Sequence, residues 1–280
     1  MKKWILLFAF LSFKAYAEEN VCGTNCVYSM FENGTDENGN VTYTLVLEPS
    51  DSTKTAKIGS YRRIGDTESP TGRSTTAPWG RTNVSRVEVK EGITDIGDHA
   101  FEDMPSITSV ELPSGLKTIG TEAFNHAELK TLTIPDSVTD IGSWAFSSNK
   151  SLTMLVLGEN LQNIGANAFA NNQLLKSVVI PDSVVNLSAT AFGGITSYTM
   201  LLNEIYCSNA QTEQCDAAVA YMGLSSKTYE KYGDGYLFDG KFYAKFSDIG
   251  SQDYVKKRIY TVDEANKVSG KKNTFKIRYK

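Results

Sequence analysis

The stretch Ile119-Gly120-Thr121-Glu122-Ala123-Phe124 recurs along the middle of this 280-residue chain and decides its fold. Four related stretches end in Phe101, Phe146, Phe169 and Phe192. By subtraction, consecutive phenylalanines lie 23, 22, 23 and 23 residues apart. A fixed period of this length is typical of a solenoid, in which each repeat buries its apolar side against its neighbours.

Each repeat also contains an apolar-x-x-apolar-x-apolar pattern, which predicts a short strand. The five predicted strands cover residues 84–89, 107–112, 129–134, 152–157 and 175–180. Proline or glycine follows four of them, and both residues interrupt a strand. The glycine of the recurring stretch allows a tight turn, and the phenylalanine fills the core. The sequence therefore predicts a mainly β solenoid over residues 84–205, built from five units of about 23 residues.

The repeat resembles a known family. The stretch Pro135-Asp136-Ser137-Val138-Thr139-Asp140-Ile141-Gly142-Ser143-Trp144-Ala145-Phe146 is similar to the BspA-like (type 5) leucine-rich repeat of bacterial surface proteins. The resemblance extends over residues 84–202, and it implies an exported protein that functions in adhesion or host interaction. Met104, Ala127, Asn149 and Asn172 stand where many members of this family have cysteine.

The first 17 residues have the features of a secretory signal peptide. Lys2 and Lys3 precede an apolar run over residues 4–13, and Ala15-Tyr16-Ala17 forms a small-x-small cleavage pattern. The apolar run is too short to cross a bilayer, which requires roughly 20 residues, and no later stretch is long enough. We therefore predict an exported protein that is secreted, on the cell surface or periplasmic, with no transmembrane segment.

The flanks of the solenoid have patterns of their own. Residues 18–83 are predicted to form an N-terminal β cap and loop, with a hairpin of strands over 27–31 and 41–47. Residues 206–225 are predicted to form a C-terminal cap with a helix over 212–222. Residues 226–280 are predicted to form a small basic, aromatic α+β tail module. In that module we expect a hairpin over 236–243, a helix over 262–269 and a strand over 274–279.

Four cysteines in an exported chain indicate disulfides. Five or six stacked coils place the solenoid ends ~25 Å apart at the strand spacing, whereas a disulfide tolerates only ~7 Å between Cα atoms. The sequence therefore predicts the local pairs Cys22–Cys26 and Cys207–Cys215.

Charge is distributed unevenly along the chain. Without residues 1–17 the formal net charge is −7, which divides into −13 over residues 18–225 and +6 over residues 226–280. The basic segment could bind an anionic cell-envelope polymer or dock on the acidic solenoid. An exported protein is a poor candidate for nucleic-acid binding. The basic residues proposed for this role are Lys256, Lys257, Arg258, Lys271, Lys272 and Arg278.

No motif in the chain indicates catalysis, a cofactor or a metal site. The two histidines, His99 and His126, lie at different offsets from the phenylalanines of their repeats. We interpret them as solvent-facing loop residues rather than metal ligands, and we do not expect an enzyme.

The outward positions of the predicted strands are the best candidates for binding. One column along the solenoid contains Glu88, Glu111, Thr133, Val156 and Val179, and the neighbouring column contains Arg86, Ser109, Thr131, Met154 and Ser177. This face changes from acidic to apolar along its length. An exposed apolar patch can mark a contact site, although valine is also favoured in strands and the tail module could cover the patch.

Two functions follow from these patterns. The first is binding of a protein or glycan ligand through the sheet face, with Glu88, Glu111, Thr133, Met154, Val156 and Val179 as binding residues. The alternative is an envelope-associated scaffold that is anchored by the basic C-terminal module.

Overall fold

The computed structural model describes residues 20–61, 77–80, 82–193, 204–208, 216, 226–232, 235–238 and 241–243. Within these ranges the chain forms eighteen β-strands. The strands before the repeats are β1 (Val21–Thr24), β2 (Cys26–Thr35), β3 (Val41–Pro49) and β4 (Ala56–Ile58). Those of the repeats are β5 (Val84–Val89), β6 (Ile93–Ile96), β7 (Ser109–Glu111), β8 (Thr118–Ile119), β9 (Thr131–Thr133), β10 (Asp140–Ile141), β11 (Met154–Val156), β12 (Asn163–Ile164), β13 (Ser177–Val179) and β14 (Asn186–Leu187). After the repeats come β15 (Glu204–Ser208), β16 (Ser226–Tyr232), β17 (Gly235–Phe238) and β18 (Lys241–Tyr243).

The repeats stack as the period predicts, but they form two parallel ladders, whereas the sequence predicts one strand per repeat. One ladder runs through β4, β6, β8, β10, β12 and β14, with Ile119 opposite Ile141 and Ile141 opposite Ile164. The other contains the predicted strands β5, β7, β9, β11 and β13, in which β5 pairs with β7 and β9 pairs with β11. Between β7 and β9, the Lys130 N–H donates to the carbonyl of Thr108 at 3.2 Å. Each coil therefore contributes one strand to each ladder.

A continuous column of aromatic rings forms the centre of the core. The five repeat phenylalanines are fully buried, and neighbouring rings are stacked with centroids 4.7 to 5.5 Å apart. Trp79 extends this column at the N-terminal end, where Tyr28 and Tyr61 pack edge-on against its indole ring. The prediction that the phenylalanines fill the core is confirmed.

Two buried asparagines connect adjacent coils. Asn149 Nδ2 donates to the carbonyls of Phe124 and Phe146 at 3.0 and 3.1 Å, and its Oδ1 accepts from the N–H of Leu129 at 3.1 Å. Asn172 Nδ2 donates in the same way to the carbonyls of Phe146 and Phe169. Both side chains satisfy backbone groups that the turn would otherwise leave unpaired in the core.

The predicted N-terminal hairpin is confirmed. Strands β2 and β3 pair antiparallel, β3 pairs with β5, and β4 pairs with β6. The first strand of each ladder therefore has a hydrogen-bonded neighbour from residues 20–61. The predicted disulfide between Cys22 and Cys26 is also present, with Cα atoms 5.0 Å apart.

The described strands after the repeats continue the sheet. The first of them is β15, which pairs with β13 and with β16 in parallel. The predicted hairpin over 236–243 is confirmed by the antiparallel pairing of β17 and β18. Because β16 pairs with both β15 and β17, the hairpin joins the sheet of the last repeats.

Several predicted elements lie outside the described residues. They are the signal peptide, all but residue 216 of the cap helix over 212–222, Cys215, and the helix over 262–269 with the strand over 274–279. The predicted short helices are therefore not established. Among the described residues, no helix has the length and apolar character needed to cross a membrane.

Candidate functional site

The candidate surface is the outward side of β5, β7, β9, β11 and β13, here called the sheet face. The structure aligns its residues as predicted: Glu88 is opposite Glu111, and Thr133 is opposite Val156. In the neighbouring column Arg86 is opposite Ser109, and Thr131 is opposite Met154. Val179 and Ser177 occupy the same positions in β13. The role of these residues in binding stays a prediction.

The end of the sheet face predicted to be acidic is an ion-pair network. Arg86 Nε lies 2.9 Å from Glu88 Oε1, and Arg86 Nη2 also pairs with Glu111 Oε1. Lys90 Nζ lies 2.6 Å from Glu88 Oε2. Hydrogen bonds from Lys90 and Arg86 lower the pKa of the Glu88 carboxyl. Two cations thus balance the two glutamates, and this end presents paired charges instead of an unbalanced acidic patch.

The other end of the sheet face is apolar but less exposed than the sequence suggests. The Met154 side chain is 51% exposed, whereas Val156 and Val179 are half-buried. Thr131 and Thr133 are exposed between the two ends. Met154 is therefore the principal apolar side chain that this end offers to a partner.

Phe31 extends the sheet face on its N-terminal side, and the sequence did not lead us to it. In the registers of β2, β3 and β5, Phe31 lies opposite Thr44, and Thr44 lies opposite Arg86. Phe31 is 56% exposed. The alternation of side chains along β2 indicates the direction of Phe31. Tyr28 packs on Trp79, and Phe31, three positions later, points to the opposite side of the strand.

Two exposed apolar side chains thus lie at either side of the ion-pair network. Five strand spacings separate β2 from β11, through β3, β5, β7 and β9. At the usual spacing this places Phe31 and Met154 ~24 Å apart. The sheet face therefore presents two separated apolar contacts with polar and charged side chains between them.

The prediction for the two histidines is right for one of them. His126 is solvent-facing, with its side chain 48% exposed and Nδ1 2.7 Å from Asp103 Oδ1. His99 is only 13% exposed, and its Nδ1 lies 2.6 Å from Oε2 of the buried Glu102. The prediction for His99 is wrong because an offset from phenylalanine does not reveal the buried carboxylate beside it.

His99, Glu102 and Glu122 form the one cluster of possible metal ligands within the described ranges. One ligand atom from each residue lies within 4.8 Å of the other two. Imidazole and carboxylate are ligands that zinc accepts, so the donor types are suitable. All three residues already have protein partners, however, and the cluster is not assigned to a metal.

The other predicted site residues cannot be placed. Lys256, Lys257, Arg258, Lys271, Lys272 and Arg278 lie outside the described residues, as does Cys215. Cys207 lies in β15, of which only the backbone is described.

Comparison with known proteins identifies the repeats. Residues 79–199 match the family model described as "BspA type Leucine rich repeat region" in six copies, where the sequence alone predicts five. The aromatic column that begins at Trp79 also has six rings. No curated protein matches the chain by sequence.

Three solved structures illustrate the similarity. A leucine-rich repeat protein from Eubacterium ventriosum is 23% identical with a TM-score of 0.46, covering 67% of this chain and 45% of that one. The pneumococcal vaccine antigen PcpA is 18% identical with a TM-score of 0.40, covering 80% and 53%. A leucine-rich repeat protein from Bacteroides ovatus is 15% identical with a TM-score of 0.28, covering 72% and 75%. The chain thus spans about half the length of the first two proteins.

Proposed function

From the premise that residues 79–199 are a BspA type leucine-rich repeat region, we propose that this is an exported binding protein that mediates adhesion through a protein partner. The partner contacts the sheet face together with the outward side of β2 and β3. The observation that carries the proposal is the exposure of Phe31 and Met154 at the two sides of a network of paired charges.

The chemistry of this surface favours a protein partner. Aromatic residues, methionine and arginine are enriched in protein interfaces, and Phe31, Met154 and Arg86 supply one of each. Burying both apolar side chains would provide roughly 1.5–3 kcal/mol for each fully buried side chain. The paired charges between them would contribute orientation more than affinity.

The proposal also assigns roles to the rest of the chain. Residues 1–17 direct export and residues 18–83 cap the first coil, while β16, β17 and β18 continue the sheet beyond β15. The pairing of β3 with β5 and of β4 with β6 supports the first cap, because it covers one edge of both ladders. No catalytic role is proposed.

A scaffold anchored by residues 226–280 is the alternative, and it rests on the +6 charge of that segment. Deletion of these residues separates the two functions. The alternative requires that the truncated protein lose its association with the cell envelope.

The sheet face is tested with Phe31→Asp and Met154→Asp, singly and together, in the protein lacking residues 1–17. Val185→Asp is the matched control, because Val185 is 57% exposed and lies outside the sheet face. The immobilised protein is incubated with cell-surface and secreted extracts, before and after the extracts are digested with protease. Capture that survives in the control, falls in both single variants and disappears after digestion supports the proposal.

Circular dichroism establishes that each variant is folded. Unchanged capture by a folded double variant would contradict a role of the sheet face in binding. Capture that resists protease digestion would contradict a protein partner.

A further inference from the structure

A second surface feature lies on the other ladder, away from the sheet face. A groove of about 440 Å³ crosses β8, β10, β12 and β14 along the axis of the solenoid. Its floor includes Gly120, Gly142 and Gly165, one from each of three successive coils. Because it crosses the coils instead of following one of them, the groove fits an extended polymer that lies along the axis.

The packing of adjacent coils explains why glycines line this part of the groove. A Cβ atom added at Gly120, Gly142 or Gly165 would meet backbone or Asp98 atoms of the preceding coil at 2.6 Å. Each glycine is therefore required for adjacent coils to approach each other, whether or not a ligand binds.

The first wall is a line of amide and carboxylate groups. Asp140, Asn163 and Asn186 occupy the same strand position in successive coils. Asn163 Nδ2 donates to Asp140 Oδ1 at 2.5 Å, and Asn186 Nδ2 donates to Asn163 Oδ1 at 2.6 Å. These bonds orient the three side chains in one row, in which Asp140 only accepts hydrogen bonds and each asparagine amide can both donate and accept.

The second wall carries the hydroxyls of Thr121 and Ser143, at matching positions of neighbouring coils. Neither hydroxyl makes a side-chain hydrogen bond within the part of the chain that the structure describes. Both residues are half-buried along the groove. Each can donate one hydrogen bond and accept two, so this wall also offers repeated polar contacts.

We propose that this groove binds a neutral linear glycan, with about one sugar per coil. Coils repeat at ~4.8 Å, and an extended pyranose chain advances by nearly this distance per sugar. Its hydroxyls would lie beside Asp140, Asn163 and Asn186 in three successive coils, and beside Thr121 and Ser143 in two neighbouring coils. An extended peptide advances only ~3.3 Å per residue and would lose this match after one or two coils.

The charge of the groove and the pairing of its strands further limit the class of ligand that can bind. The Asp140 carboxylate lines the groove, and the lining contains no Lys or Arg. An anionic polymer would therefore be repelled. The β10 and β12 strands are paired on both sides, so no open strand edge is available for a peptide to add to.

The test uses the chain without residues 1–17 and isothermal titration calorimetry. The probes are cellohexaose and chitohexaose as neutral chains, their dimers as short chains, and oligogalacturonate as an anionic chain. At least one neutral hexamer is expected to bind, more tightly than its dimer because it contacts more coils, and oligogalacturonate is not.

Two variants locate the glycan. Asn163→Ala removes one wall residue, and Ser143→Leu removes a hydroxyl and fills part of the groove. Each should weaken hexamer binding by about fivefold or more, the effect of losing roughly 1 kcal/mol of hydrogen bonding. Asn160→Ala is the matched control, since Asn160 is exposed in a turn and does not line the groove.

Failure of both neutral hexamers to bind would overturn the proposal. Equal binding of oligogalacturonate, or hexamer binding that both folded variants leave unchanged, would also overturn it. The sheet-face variants do not alter this groove. The result of the capture experiment is therefore independent of the result of the glycan titration.

Discussion

Trp79 precedes Phe101 by 22 residues, and the two rings stack with their centroids 5.5 Å apart. Its indole Nε1–H also donates to the carbonyl of Ala100 at 2.8 Å. The same side chain thus extends the aromatic column by one step and satisfies a carbonyl at the end of the stack.

Substitution of Trp79 should separate these two contributions. Trp79→Ala removes a fully buried ring and should lower the free energy of unfolding by ~3–5 kcal/mol. Trp79→Phe keeps a ring on Phe101 but removes the hydrogen bond, so we expect a loss of about 1–2 kcal/mol. Urea unfolding measures both values. Equal losses in the two variants would contradict the importance of stacking.

The buried asparagines should differ in their contributions. Asn149→Ala leaves the Leu129 N–H without the Asn149 Oδ1 acceptor, whereas Asn172 Oδ1 accepts no hydrogen bond among the described residues. Asn149→Ala should therefore be more destabilising than Asn172→Ala by about 1–3 kcal/mol, the cost of an unsatisfied buried donor. Asn160→Ala, which removes one exposed hydrogen bond to the Asp136 carbonyl, should lower stability by about 1 kcal/mol or less. The reverse order of Asn149→Ala and Asn172→Ala in urea unfolding would refute this explanation.

Glycine is required at Gly142 but not at Gly115. A Cβ at Gly142 would lie 2.6 Å from Thr121 N, while one at Gly115 would lie 3.8 Å from Glu91 Oε2. Gly142→Ala should therefore cost ~1–3 kcal/mol through overpacking. Gly115→Ala should leave stability unchanged or raise it by up to ~1 kcal/mol, because alanine restricts the unfolded chain. Thermal unfolding of both variants gives the comparison, and similar Tm values would show that the spacing between coils is not tight.

Tyr61 should make stability depend on alkaline pH. Burial and the neighbouring Tyr28 raise the pKa of Tyr61 to about 12, while its hydroxyl donates to the Cys22 carbonyl at 2.9 Å. In the unfolded chain the pKa is about 10, so the folded state retains this proton more strongly. The contribution of Tyr61 is complete below pH ~10 and declines as pH rises towards 12.

Tyr61→Phe isolates that contribution. At pH 7 it should lower the free energy of unfolding by about 1 kcal/mol through the lost hydrogen bond. The gap between the two proteins should narrow at pH 11, where the unfolded wild-type chain releases the tyrosine proton. Urea unfolding at both pH values tests this, and a gap of the same size at pH 11 would contradict it.

The architecture of the repeats could be predicted because each core position recurs in every coil. Phe101, Phe124 and Phe146 follow one another at 22 or 23 residues, and all three are fully buried. The strand pattern recurs with the same period, so the same argument located β5, β7, β9, β11 and β13. The sixth ring of the aromatic column could not be predicted from the repeat pattern, because Trp79 lacks the Ile-Gly stretch. Its place in the column depends on stacking against Phe101.

The chemistry of the sheet face was less predictable, because it depends on contacts between coils. A column of residue types does not reveal that Arg86 reaches both Glu88 and Glu111, which requires the register of β5 and β7. The position of Phe31 required the register of β2 and β3, and that pairing shifts between Glu32 and Thr35. Periodic patterns determine which side of a strand is buried, but not which polar side chains meet on the other side.

The asparagines at 149 and 172 have a consequence for oxidative folding. Equivalent positions of adjacent coils lie about one strand spacing apart, which is within the Cα separation that a disulfide allows. A column of cysteines there would permit several incorrect crosslinks during folding in an oxidising compartment. Asparagine makes the contacts between coils with hydrogen bonds alone. Since residues 27–206 contain no cysteine, thiol exchange within the repeats cannot trap a misfolded chain.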